Sequence, residues 1–147
     1  MPQLWNRGTS VAKGTPATDK QHPERSLLLA QAAARTAADN RGTQIAILDM
    51  RDQTALCDYF VLATGTSRRQ LHAISEEIDH VLEDDMGDRR LGIEGYDDSR
   101  WILLDYGTVV IHLFDEETRE YYDLENLWAG AKPVEFDYAP FGTRAEK

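Results

Sequence analysis

Four groups of side chains in this 147-residue sequence could do chemistry. Thr64-Gly65-Thr66-Ser67 reads as a strand end, a glycine turn and a helix start, where free backbone N–H groups can cradle a phosphate. A single glycine with no lysine after it falls short of a phosphate-binding loop. Arg68 and Arg69 place positive charge in the same first turn, opposed to the helix dipole, a mild hint of an anion or acidic partner, but an ordinary turn with solvated arginines is the favoured reading. A turn of this kind, followed by a strand with paired acids, is also the plan of a nucleotidyltransferase, whose carboxylates hold Mg²⁺ against nucleotide phosphates. Here the strand after the helix, LGIEG, carries only Glu94, Asp105 ends the next strand, and Asp49 and Asp52 lie at and after the end of the first strand, before the second. No D-x-D stands where that chemistry needs it. A metal-dependent nucleotidyltransferase using the Gly65–Ser67 turn with Glu94 and Asp105 is therefore the alternative reading, not the first.

The other groups point away from catalysis. His72, Glu76, His80 and Asp84 recur every four residues, and two neighbours of that spacing can grip a metal. Their setting, EEIDHVLEDD, is that of a solvated acidic face, so no metal site is assigned. Cys57 has no histidine near it in sequence and reads as a small buried residue. No Ser/His/Asp arrangement emerges, and no catalytic residue or cofactor is assigned. Asp105 and His112 are polar intrusions in an apolar hairpin, either hydrogen-bonded within the sheet or held for a partner.

The elements that must position these residues follow from patterning. Ser26 reads as the N-cap of an Ala-rich helix over Leu27 to Asn40 that Gly42 ends. QIAILDM and DYFVLA are strands, and Ser67 to Gln70 has the S-x-x-Q spacing of a capping box. The helix behind it carries Leu71, Ile74, Ile78, Val81 and Leu82 on one face. Leu91 to Glu94 is a short third strand. WILLDYGTVVIHLF, residues 101–114, is a hairpin turning at Gly107 with φ > 0. Asp115 to Trp128 forms short helical turns. The order α-β-β-α-β-β-β-α describes one α/β domain with a mixed five-stranded sheet flanked by helices, over residues 26–131. Residues 1–25 read as a disordered leader and 132–147 as a loose C-terminal tail.

Both faces of the hairpin are apolar. Trp101, Leu103 and Asp105 point one way and Ile102, Leu104 and Tyr106 the other. Five strands span ~24 Å, two helices ~10 Å across cover about one face, and the short C-terminal helix can shield an edge or part of the second. The expectation is an open apolar stretch on the Trp101 side, which on a soluble protein marks a partner site. Trp101 as a core anchor is the competing reading, and composition leaves both open.

Net charge is −10. The leader, with four basic and two acidic residues, carries +2, so the remainder carries −12. Such a body argues against phosphate-backbone binding, so no direct specific nucleic-acid recognition is expected, and it favours a basic protein partner, with solubility alone as the competing reading. No apolar run approaches the ~20 residues of a membrane span, the start lacks a secretory apolar segment, and the lone cysteine fits a reducing cytoplasm.

Four motifs then stand in order: CDYFVLATGTSRRQ at 57–70, GIEGY at 92–96, SRWILLDYGTVVIHLF at 99–114 and REYYDLENLWAGA at 119–131. Together they resemble the ribosomal silencing factor family, also called Iojap-related, from about Leu27 to Ala131. Thr108 and Gly130 depart from it, standing where an Asp is common. The resemblance implies a nucleotidyltransferase-like fold without catalytic carboxylates, no enzymatic activity and no cofactor. It implies binding to large ribosomal subunit protein fourteen, a basic protein at the subunit interface. Binding there would sterically block small-subunit joining and repress translation, typically under nutrient limitation, and homodimers are implied in isolation. Carried over by position, Trp101, Leu103, Asp105, His112 and Phe114 are the implied partner-binding residues.

Overall fold

The computed structural model describes residues 23–136. Helix α1 (Pro23–Asp39) buries Leu29, Ala30, Ala33, Ala34 and Ala37 along one face. Small side chains at these positions let the helix lie close on the sheet. It begins before Ser26, whose hydroxyl instead donates to Asp58 Oδ2 at 2.9 Å and ties the helix to the connector before the second strand. The sequence points to Gly42 as the terminator, but the left-handed residue is Arg41, at φ 64°. Gly42 N–H then reaches back to the Ala37 carbonyl at 2.8 Å, the closure of a Schellman motif.

Strands β1 (Thr43–Asp49) and β2 (Tyr59–Gly65) pair antiparallel, with a bulge between Thr43 and Ala46. All seven residues of β2 are buried, as a central strand requires. Helix α2 (Arg68–Asp79) runs on into a π-helical stretch, His80–Asp85. Its capping box forms as the spacing predicts. Ser67 Oγ accepts from Gln70 N–H at 3.1 Å, and Gln70 Oε1 accepts from Thr66 N–H at 2.6 Å, one residue ahead of the usual return bond.

Strands β3 (Gly92–Glu94), β4 (Trp101–Asp105) and β5 (Val109–Asp115) follow, then α3 (Glu116–Tyr122), α4 (Leu124–Leu127) and β6 (Lys132–Pro133). The sheet order is β3-β4-β5-β2-β1-β6, with β2 and β5 parallel and every other pair antiparallel. Gly107 turns the β4–β5 hairpin at φ 85°, and Asp105 Oδ1 accepts its N–H at 2.8 Å. Both strand assignments and the predicted alternation of faces hold. Ile102, Leu104, Val109, Ile111 and Leu113 pack under α1 and α2, while Trp101, Leu103, Val110 and Phe114 lie on the opposite face with Phe60 and Leu62.

Three expectations are corrected. The sheet has six strands rather than five, because Pro133 pairs with Leu48 and Val134 N–H bonds to the Ile47 carbonyl at 2.8 Å. Residues 132–136 are thus held against the sheet edge rather than loose, and Phe136 lies under the Arg35 guanidinium, 4.9 Å away. Residues 1–22 of the leader and 137–147 of the tail lie outside the described residues. The open Trp101 face is also corrected, because residues from the chain after Asp115 close over it. Tyr122 meets Trp101 at 4.7 Å between ring centroids, Trp128 meets Phe60 at 6.0 Å, and Leu124 and Ala131 join the same cluster. Counting helix diameters allowed the C-terminal helix only part of this face and underestimated the cover, because it comes from large side chains on short helices laid across it.

Candidate partner-docking site

The five residues implied by the resemblance come together on one sheet face. Trp101 pairs with Phe114 and Leu103 with His112 across the hairpin, and Asp105 sits opposite Val110 at its far end. They are more enclosed than expected, with Trp101 7 % exposed, Leu103 1 %, Asp105 2 %, and His112 and Phe114 fully buried.

The site's chemistry starts from the Trp101–His112 pair. Trp101 Nε1–H donates to His112 Nδ1 at 3.1 Å, so the imidazole is neutral with its proton on Nε2. Burial, and then the positive charge of Arg119, push the His112 pKa down to about 3. Phe60 meets the imidazole edge-on at 4.5 Å, and Phe114 lies 5.0 Å from the Trp101 ring. Trp101 is thereby fixed in one orientation by a hydrogen bond and by aromatic neighbours.

Arg119, itself buried, locks α3 down. Its guanidinium donates to Thr64 Oγ1 at 2.8 Å and to Glu125 Oε2 at 2.5 Å. Burial works to raise the Glu125 pKa, but the hydrogen bond and charge of Arg119 outweigh it and hold the carboxyl below its usual value. The arginine also lies over the Phe114 ring at 5.9 Å.

What remains open of Trp101 lies in a groove of about 450 Å³ between α3 and residues 95–100. Tyr121, 79 % exposed, and Tyr122 form the helix side, and Glu117, Asp98 and Arg100 line it as well. The loop side is held by residues that the sequence assigned to a solvated face. His72 Nε2 lies 2.8 Å from the Tyr96 carbonyl and 2.7 Å from Ser99 Oγ, its ring stacks on Tyr96 at 4.0 Å, and Tyr96 hydroxyl donates to Glu76 at 2.5 Å. The carbonyl has no proton to give, so Nε2 carries one and donates. A Cβ on Gly95 would stand 2.0 Å from the Trp101 carbonyl, and φ there is +79°, so the turn needs glycine.

Sequence reasoning found Trp101 and its strand but missed Tyr121, Tyr122 and the His72–Tyr96 lock. The available signals were the helical spacing of His72 and Glu76, and the tyrosine pair inside the fourth motif. Of the other His72-series residues, His80 pairs with Asp84 at 2.8 Å, and no group of three metal-ligating side chains occurs among the described residues. Cys57 is buried, as expected. The nucleotidyltransferase residues separate. Gly65 lies opposite Asp115 at one end of the sheet, whereas Asp105 lies opposite Val110, about 17 Å away along the strand at ~3.4 Å per residue.

Comparison with known proteins places this site in context. The family model described as ribosomal silencing factor during starvation matches residues 21–147. The ribosomal silencing factor RsfS of Bacillus subtilis is 39% identical over 106 residues, covering 72% of this chain and 89% of that protein. The mouse protein named mitochondrial assembly of ribosomal large subunit protein 1 is 38% identical over 86 residues, covering 57% of this chain and 38% of that protein. A crystal structure of a protein from Chromobacterium violaceum superposes with a TM-score of 0.67 at 34% identity, covering 74% of this chain and 89% of the other.

Proposed function

The chain belongs to the ribosomal silencing factor family, a family of regulators rather than enzymes, and from that membership we propose how this member acts. It binds large ribosomal subunit protein fourteen, blocks joining of the small subunit by occupying its place, and so represses translation under nutrient limitation. The observation that carries this reading is the groove floored by Trp101, an orientation-locked aromatic with the exposed Tyr121 at its rim and acids on both walls. Fixed aromatics lose little entropy on binding and dominate interface energies, and the acids suit a basic partner.

Burial divides the five proposed interface residues by role. Trp101 meets the partner through its open edge. Leu103, Asp105, His112 and Phe114 serve it from beneath, as the bed and turn that hold the Trp101 strand. The likeness to a nucleotidyltransferase, the homodimer in isolation and the cytoplasmic location belong to the same proposal. The homodimer would use this face and yield it to the ribosome. No helix among the described residues is long and apolar enough to cross a membrane.

Co-sedimentation with purified large subunits tests the docking reading. Tyr121→Glu puts a charge on an exposed position, leaves the circular dichroism spectrum unchanged and weakens binding at least tenfold, the effect of losing one aromatic anchor of about 1.4 kcal/mol or more. Unchanged binding by this variant would remove the groove from the interface.

A further inference from the structure

Three arginines at one corner of the domain have no role in the fold. Arg41, Arg68 and Arg69 are exposed and make no hydrogen bond, ion pair or ring contact through their side chains among the described residues. Arg25 bonds the Met86 carbonyl, Arg51 Asp49, Arg90 Asp79 and Arg119 Glu125, whereas Arg89 and Arg100, also exposed and without such contacts among the described residues, follow acids in sequence at Asp88 and at Asp97 and Asp98. Gln70 brings the three to one place, since its Nε2 donates to the Asn40 carbonyl at 3.1 Å and the Arg41 carbonyl at 2.9 Å. That joins the end of α1 to the first turn of α2, where Arg68 and Arg69 sit.

The segments that carry these arginines are poor in acids in a chain that has 26 of them. Neither 40–48 nor 59–75 contains an Asp or Glu, and the nearest in sequence are Asp39, Asp49, Asp58 and Glu76. Asp115 lies beside Gly65, and Glu116, Glu120, Asp123 and Glu125 line a groove with Gln44, Ile45 and Ala46, on helices laid on the opposite sheet face from α2. Each arginine also stands where the fold disfavours it. Arg41 holds a left-handed φ that glycine adopts without cost, and Arg68 and Arg69 face the positive end of a helix dipole. The helix terminus itself is not the feature, since Ser67 Oγ and Gln70 Oε1 already occupy N–H groups there. What is left is an exposed set of guanidinium groups with no side-chain partner among the described residues, suited to an extended polyanion rather than to an enclosed ion.

We infer that Arg41, Arg68 and Arg69 grip the phosphate backbone of ribosomal RNA beside the protein partner, without reading its sequence. This rests on the docking reading above, and the geometry is compatible with it. The corner and the Trp101 groove lie at the same end of the sheet, because Thr43 pairs with Thr64, Thr64 with Phe114, and Phe114 with Trp101.

The test uses the full chain and purified large subunits, with affinity measured between about 50 and 200 mM salt. Arg68→Ala/Arg69→Ala lowers the slope of log K against log salt by about 0.7–0.9 for each phosphate that is no longer neutralised. Arg41→Gly lowers it by the equivalent of one phosphate while relieving the left-handed residue, so a folding defect does not explain the change. Tyr121→Ala, in contrast, weakens binding at unchanged slope. Hydroxyl-radical footprinting at saturating protein identifies the polyanion: wild type protects a stretch of large-subunit RNA backbone that the double variant leaves cleaved. If the arginine variants bind with wild-type slope and footprint, the inference is overturned and the docking reading stands. A slope that falls while the footprint stays the same assigns the arginines to a protein surface and also overturns it. Wild type that fails to bind large subunits overturns both.

Discussion

His112 accepts a hydrogen bond from Trp101 in a space that admits no charge, and this makes the anchor of the groove sensitive to acid. Its folded pKa, about 3, lies below the ordinary 6.5, so between those values the unfolded chain binds the proton and the folded chain does not. Stability from this residue is complete above pH 6.5 and is lost as pH falls below it, at up to about 1.4 kcal/mol per pH unit. Urea titrations at a series of pH values should show that decline between pH 6.5 and about 5, above the carboxylate range. His112→Gln, which can still accept from Trp101 but does not titrate, should flatten it. A wild-type profile that is level in this window would mean that the imidazole is solvated or already charged.

Among the elements, the loop of residues 95–100 decides whether the groove exists, and it hangs on one glycine and one histidine. Gly95→Ala drives a methyl group into the Trp101 carbonyl and requires a backbone conformation that alanine avoids. The expected outcome is a cooperative fold with a displaced loop, at least a tenfold loss of large-subunit binding, and a changed near-ultraviolet signal from Trp101. Wild-type binding by this variant would show that the loop does not shape the site. The sequence made much of this architecture legible. Alternating apolar residues with a glycine at the turn identified the β4–β5 hairpin, and S-x-x-Q identified the start of α2, because both patterns are local. The sixth strand was not legible, because Lys132-Pro133 is two residues long and owes its pairing to an edge that only the folded sheet offers. The cover over Trp101 was hidden for a related reason. Tyr122, Leu124 and Trp128 lie in or beside helices too short to show a periodic face. Arg119 stands among the charges of REYYDLE with no pattern to single it out, and only the tertiary fold reveals it bridging Thr64 and Glu125.

In the molecule as a whole, charge is divided as a docking protein on a ribosome would need. Acids dominate the chain and line the walls of the aromatic groove, while the three free arginines stand together at the same end of the sheet. On the proposed reading, a basic protein meets the groove and an adjoining phosphate backbone meets the corner. Family membership was legible from four spaced motifs, whereas the division of labour among Trp101, its buried supports and the tyrosine rim required the fold. Joining of purified small and large subunits, followed by light scattering with saturating protein, tests whether occupation of this surface silences the ribosome. Wild type should prevent the rise in scattering, and Tyr121→Glu should allow it at the same concentration. Subunits that join normally while wild-type protein remains bound to the large one would contradict repression by steric block.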